Sequence, residues 1–209
     1  MLDIVYGGKD AELVAMAAQL GYTDIVIIYN SLDALYGAPR VHHEGVRVSY
    51  GLLIDTPQKN LVASLAKQCV HENMLPLVIA RGAIFDRFVA EKTVACLVDV
   101  EYVHQKDHLH FRRSGLDQVM CAFITKSKAA AVTSFNRLLG IENKFEQGKI
   151  LGRIIQNGRF CKKYGVPYTL CSFAHDPLEM KSAHDMRALL RLLGVGSVAV
   201  KEGKILCDV

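Results

Sequence analysis

Short runs of β-branched and aliphatic residues alternate along the chain with longer stretches in which apolar positions recur at helical spacing. The short runs predict strands near Leu2–Val5, Asp24–Tyr29, Val46–Ile54, Leu77–Ala80, Ala95–Val98, Ala130–Ser134, Tyr168–Ser172 and Ser197–Val200, with helices in most of the gaps. Strand, helix and strand repeated in this way is the signature of a parallel sheet whose crossovers are helical. Eight candidate strands suit a closed barrel, whereas a doubly wound open sheet produces the same alternation, and periodicity does not separate the two.

Local signals agree with the alternation. Thr56-Pro57 reads as an N-cap followed by a proline at the first helical position, and Ser182 caps the stretch that opens Ala183-His184-Asp185. Gly21, Gly140, Gly165 and Gly194 fall at expected helix ends, where a left-handed residue is commonly needed. No linker, repeat or low-complexity tract interrupts the pattern, so residues 1–209 read as one domain. Residues 37–45 and 102–114 are the longer polar loops.

The composition, 51% hydrophobic and 22% charged, supplies a sizeable core and excludes a disordered chain. Apolar runs such as Ile25 to Tyr29 are far too short to span a bilayer, so no membrane is expected. The opening Met1-Leu2-Asp3-Ile4-Val5 does not resemble a secretory signal, and the expected location is the cytoplasm. Six cysteines without a CxxC pair read as buried, reduced thiols. A formal charge of +4 permits nucleic-acid binding without demanding it.

His104, His108 and His110 crowd one loop beside Asp107, and His108-Leu109-His110 would set two imidazoles on one face of an extended segment. That could begin a metal site. Lys106, Arg112 and Arg113 in the same loop oppose a divalent ion, which favours a solvated loop or an RNA contact. His42-His43-Glu44 is weaker as a site, because adjacent side chains on an extended chain point apart. There is no GxSxG elbow, Walker A loop or GxGxxG after a strand. Tyr6-Gly7-Gly8-Lys9 could bring backbone amides to a phosphate, but an ordinary strand-to-helix turn explains it better. The basic residues are informative by placement: Arg112 and Arg113 adjoin Phe111, while Lys149, Arg153, Arg159, Lys162 and Lys163 lie along a long helical stretch. They read equally as phosphate contacts and as a solvated helix face.

Three ordered stretches resemble the ribonuclease P protein component 3 family. The first is Leu77-Val78-Ile79-Ala80-Arg81-Gly82 with Asp86-Arg87, leading into Val98-Asp99-Val100. The second is Ser114-Gly115-Leu116-Asp117-Gln118-Val119-Met120, leading to residues 131–139. The third is Phe160-Cys161-Lys162-Lys163-Tyr164-Gly165-Val166-Pro167, followed by Ser172-Phe173-Ala174-His175-Asp176 and the helix entry at Met180-Lys181-Ser182-Ala183-His184-Asp185-Met186. Ala183-His184 stands where the family usually has Pro-Arg, and Lys181 replaces an arginine; the N-terminal third matches weakly.

The resemblance implies a single TIM-barrel-like α/β barrel related to the polymerase and histidinol phosphatase superfamily. It implies a non-catalytic subunit of ribonuclease P, acting in removal of 5′ leaders from precursor tRNA. The partners it implies are the ribonuclease P RNA, protein component 2 and other protein subunits. No cofactor is expected on this chain, with Mg2+ at the RNA active site. The RNA contacts it implies are Arg81, Arg87, Arg137, Lys162 and Lys163, joined by Arg112, Arg113, His175 and Lys181. For Arg81 and Arg137 a barrel-bracing ion pair is an equal reading, and His175 could be a satisfied structural histidine. The alternative function is a metal-dependent phosphoesterase on a related barrel, which needs a cluster of His, Asp and Glu at strand ends. A small-molecule-binding barrel would require a deep apolar pocket at the same face.

Overall fold

The computed structural model describes residues 1–196, 198–201 and 204–207. Seven parallel strands follow one another in chain order around a barrel: β1 (Leu2–Tyr6), β2 (Asp24–Tyr29), β3 (Arg47–Ile54), β4 (Leu75–Ile79), β5 (Cys96–Val98), β6 (Ala130–Ser134) and β7 (Tyr168–Cys171). The crossovers are α1 (Asp10–Gln19), α2 (Leu32–Tyr36), α3 (Lys59–His71), α4 (Ala83–Lys92), α5 (Gln118–Ser127), and the pair α6 (Phe135–Leu139) and α7 (Lys144–Tyr164); α8 (Ala183–Leu193) follows β7. The expected α/β barrel is therefore the fold observed.

Its strands are apolar on both faces, as parallel strands under a helical layer must be. Leu2, Ile4, Val26, Ile28, Leu77, Val98 and Val132 point into the barrel. The alternate residues Ile25, Ile27, Val78, Leu97 and Leu170 face the helices. Alanine and cysteine at Ala130, Cys96 and Cys171 keep the inner face small enough for a narrow barrel.

The eighth candidate strand is not a stave of the barrel. The seam between β1 and β7 is already bridged: Phe173 N–H donates to the Ile4 carbonyl (2.8 Å) and Tyr6 N–H to the Ala174 carbonyl (2.9 Å). With that edge occupied, β8 (Val198–Lys201) turns back as an antiparallel hairpin with β9 (Lys204–Cys207). Val198 and Ile205 of the hairpin join the interior cluster, next to β1 and β6, and plug the N-terminal end of the barrel. Ser197, in the expected strand, lies outside the described residues.

Two local expectations shift. β4 starts at Leu75 rather than Leu77, so Pro76 lies inside it, opposite Leu52; near the strand start its missing N–H removes little of the ladder. Helix α3 starts at Lys59, because Thr56 spends its hydroxyl on the Gln58 N–H (3.3 Å) in a turn before the helix. Ser182 does cap α8, accepting from Asp185 N–H at 3.0 Å. Gly165 and Gly194 end α7 and α8 in the left-handed conformation, and Gly21 also has positive φ; Gly140 caps α6 with ordinary right-handed angles. Cys69, Cys96, Cys121, Cys161 and Cys171 are buried free thiols, as expected. Among the described residues no helix is long and apolar enough to cross a membrane.

Candidate functional site

The C-terminal strand ends open into a cavity of about 590 Å³, the end where barrels of this type place their ligands. Two positions on its rim hold non-glycine residues in the left-handed region, Asp99 at φ 63° after β5 and Phe173 at φ 52° after β7. Such a conformation costs about 1–2 kcal/mol each. At Asp99 the cost is offset by a dense set of bonds. Its N–H donates to Val132 O (2.9 Å), Oδ1 accepts from Ser134 N–H (2.7 Å), and Oδ2 accepts from Arg137 Nη1 (2.9 Å). The Arg137 guanidinium lies 4.1 Å over the Tyr102 ring, and half its side chain remains exposed. Burial raises the Asp99 pKa even against the Ser134 amide and Arg137.

On the opposite rim Tyr6 and His175 stack face to face, 3.9 Å apart and 4° from parallel. The His175 N–H is held by Glu179 Oε2 (2.8 Å), and Tyr22 Oη donates to the Lys181 carbonyl (2.9 Å), which fixes the segment that carries Lys181 beside the cavity. Lys9 Nζ reaches Asp176 at 2.6 Å and ties the first turn to the loop after β7. In that turn Gly8 N–H donates to Asp10 Oδ1 (2.9 Å), so one of the amides considered for a phosphate serves the turn itself. Gly7 is required there because any β-carbon would overlap the Tyr29 ring. Arg81, at the end of β4, pairs with Asp55 at the end of β3, while the Arg81 and Gly82 amides converge on buried Asp86 (2.8 and 3.0 Å).

A second set of basic residues lies on the flank of the barrel, where residues 103–117 pack along α7. Arg153 is fully buried and pins this loop: Nε donates to Asp107 Oδ1 (2.8 Å), and Nη1 donates to the carbonyls of Glu101 (2.8 Å) and His104 (2.6 Å). Arg153 is thus a core brace, neither a phosphate contact nor part of a solvated helix face, the two readings left open for this stretch. Lys149 pairs with Glu146 and donates to the Gln105 carbonyl (2.8 Å). Beneath the loop, fully buried Glu101 accepts from Tyr168 Oη (2.6 Å), Asn157 Nδ2 (2.7 Å) and Thr133 Oγ1 (2.8 Å).

The sequence candidates therefore separate. Arg137, His175 and Lys181 line the mouth, while Arg81 stands just past the end of β4, paired with Asp55. Arg112 and Arg113 sit on the α7 flank, with Arg112 across Gly152 and near Arg159. Arg87, on α4, lies 3.9 Å from Asp117. Lys162 and Lys163, in the last turn of α7, stand at the opposite end of the barrel, where Lys162 lines a cleft of about 460 Å³ with Arg191 and Val198.

Neither histidine loop forms a ligand set. Among the described residues no group of three or more His, Cys, Asp or Glu could hold a metal ion. Asp107 is engaged by Arg153 and by Arg113 N–H (2.9 Å), and these outweigh burial to hold its carboxyl below the usual range. His108 packs on Phe111, and His43 Nδ1 meets the Glu44 carbonyl (2.8 Å). At the mouth, the carboxylate best placed for a metal, Asp99, already faces a guanidinium. The donor set does not fit the metal chemistry of a phosphoesterase.

Sequence reasoning missed Tyr6, Tyr102 and Asn136 as parts of the site. Tyr6 was visible only as a turn residue, and its partner His175 lies at the far end of the chain. The side-chain nitrogen of Asn136 is buried with no hydrogen-bond partner among the described residues, something no spacing rule reveals.

No protein-family model matches the chain. It is 24% identical over 147 residues, 70% of this chain, to ribonuclease P protein component 3 of Methanococcus maripaludis strain C5, and equally identical over 146 residues to that of strain S2. The chain spans about 60% of the length of these curated relatives. Its fold matches a chain of the cryo-EM structure of archaeal ribonuclease P with mature tRNA, with TM-score 0.73, 18% identity, and coverage of 93% of this chain and 83% of that one. It also matches a Listeria monocytogenes protein described as a histidinol phosphatase, with TM-score 0.54, 10% identity, and coverage of 88% and 99%. The motif resemblance to component 3 recurs in these relatives, and the expected α/β barrel stands as the fold.

Proposed function

We propose that this chain is a protein subunit of an archaeal-type ribonuclease P. It binds the catalytic RNA and supports removal of 5′ leaders from precursor tRNA, while the RNA, with Mg2+, performs the cleavage. The observation that carries this reading is the likeness, over nearly the whole chain, to a chain of archaeal ribonuclease P, joined to component 3 relatives found by sequence. The site is consistent with it: cations are displayed on the rim and flank, and the buried carboxylates serve as braces.

Phosphate contacts position an RNA and make binding salt-dependent. Arg112 and Arg113 on the α7 flank and Arg137 and Lys181 at the mouth are the residues placed to make them; Arg81, Arg87, Lys162, Lys163 and His175 complete the candidate set. Protein partners, component 2 first among them, are assigned to the exposed apolar residues Leu109, Phe111 and Phe145 beside the flank loop. The expected location is the cytoplasm.

The test is reconstitution: precursor-tRNA cleavage by ribonuclease P RNA with and without this chain and component 2, across a salt series. Salt-sensitive stimulation by the pair, with no cleavage by protein alone, is the expected result. Metal-dependent phosphoesterase activity of the chain, without stimulation, would overturn the reading.

A further inference from the structure

We infer that the barrel mouth is a pocket for a single unpaired ribonucleotide, its base stacked on His175 and its phosphate held by Arg137 and Lys181. The ligand class rests on the RNA-subunit reading; the pocket and its mode of binding go beyond it.

Four observations converge. The cavity, about 590 Å³, lies in the size range of small-molecule sites. Tyr6 backs His175 in a parallel stack, and His175 itself is exposed, so a ready-made π platform continues outward and offers its free face to a base. Arg137 commits one nitrogen to Asp99 and keeps half its side chain exposed, while Lys181 makes no ion pair among the described residues. Finally, Asn136 lines the same cavity with a side-chain nitrogen that is buried and has no acceptor among the described residues. A buried donor left unmet costs about 1–3 kcal/mol, which a ligand carbonyl or phosphate oxygen would recover.

The acids that face the cavity explain the preference for one phosphate over a polyanionic duplex. Asp99 and Glu179 offset Arg137 and Lys181, so the mouth carries little net charge. An anion is held there by directed bonds and stacking more than by a field. A duplex would present no free base to the platform.

The experiment measures binding of two probes to the full chain: a fluorescein-labelled single-stranded oligoadenylate and free adenosine 5′-monophosphate. His175 is exposed and Lys181 half-buried at the rim, and the fold of His175→Ala and Lys181→Ala is checked by circular dichroism. Each is expected to weaken binding about tenfold, while His175→Phe, which preserves the stack, restores most of the loss. Lys67→Ala on α3 serves as the control. Loss with both probes, or with the oligonucleotide alone, assigns the pocket to an RNA strand; loss with the monophosphate alone assigns it to a free nucleotide. Unchanged affinity of both probes in both variants overturns the inference. Retained stimulation of precursor-tRNA cleavage by those variants would then leave the subunit reading intact.

Discussion

Asp3 ties the barrel seam together without a cation, and this makes stability depend on pH in an unusual direction. Its carboxylate is fully buried on the helix-facing side of β1. Oδ1 accepts from Ser172 N–H (2.6 Å) and Ile4 N–H (2.9 Å), and Oδ2 accepts from Ser172 Oγ (2.7 Å). Burial outweighs these donors and raises the pKa from 3.8 to about 6. At about 1.4 kcal/mol per pH unit, the difference corresponds to about 3 kcal/mol. The folded pKa lies above the unfolded one, so in the window between them the native state binds more protons. The Asp3 contribution is fully present below pH 4 and is lost as pH rises to about 6.

Asp86, Asp99 and Glu101, also raised by burial, act with the same sign. Asp107, Asp176 and Asp185, whose pKa values are lowered, act with the opposite sign, but their contribution is lost only below the usual carboxylate range. Asp3→Asn keeps an acceptor for the two amides and removes the ionisation. Urea unfolding followed by far-UV circular dichroism at pH 4.5, 5.5, 6.5 and 7.5 measures both proteins. The stability of the variant relative to wild type is expected to improve by about 2 kcal/mol from the lowest to the highest pH. Parallel pH profiles for the two proteins would refute the argument.

Arg153→Met removes the cation that pairs with Asp107 and the donor to the Glu101 and His104 carbonyls, and is expected to cost about 3–5 kcal/mol and to expose residues 104–113 to proteolysis; a loss under 1 kcal/mol in urea unfolding would count against the brace. Gly115→Ala places a methyl onto the Val100 carbonyl at φ 90° and is expected to cost more than about 2 kcal/mol, whereas Gly165→Ala, left-handed but in open space, costs about 1 kcal/mol; thermal melts of the pair give the comparison. Arg112→Ala is expected to lower the slope of log K against log salt for RNA binding by about 1, read by filter binding, with no change in melting temperature.

Within the chain, the short apolar runs and the helically spaced stretches between them determined which segments became β1 to β7, because buried parallel strands need apolar residues on both faces and leave that record locally. Ser182 and the helix-ending glycines were legible for the same reason: capping chemistry lies within a few residues. The number of staves was not legible. Val198 to Lys201 has the composition of a strand, but the bonds from Tyr6 and Phe173 across the seam decide that it becomes a plug.

The site divides similarly. Basic residues near strand ends mark Arg81 and Arg137 in the sequence, yet only three-dimensional pairing shows that Asp55 and Asp99 engage them. Arg153 looks like its neighbours on α7 when read as a helix face, and becomes a core residue only because a loop more than forty positions earlier folds over it. Tyr6 and His175 meet because barrel closure brings the first strand beside the last. Local sequence encodes local preferences; contacts across the closed barrel depend on topology, and the functional mouth is made of those contacts.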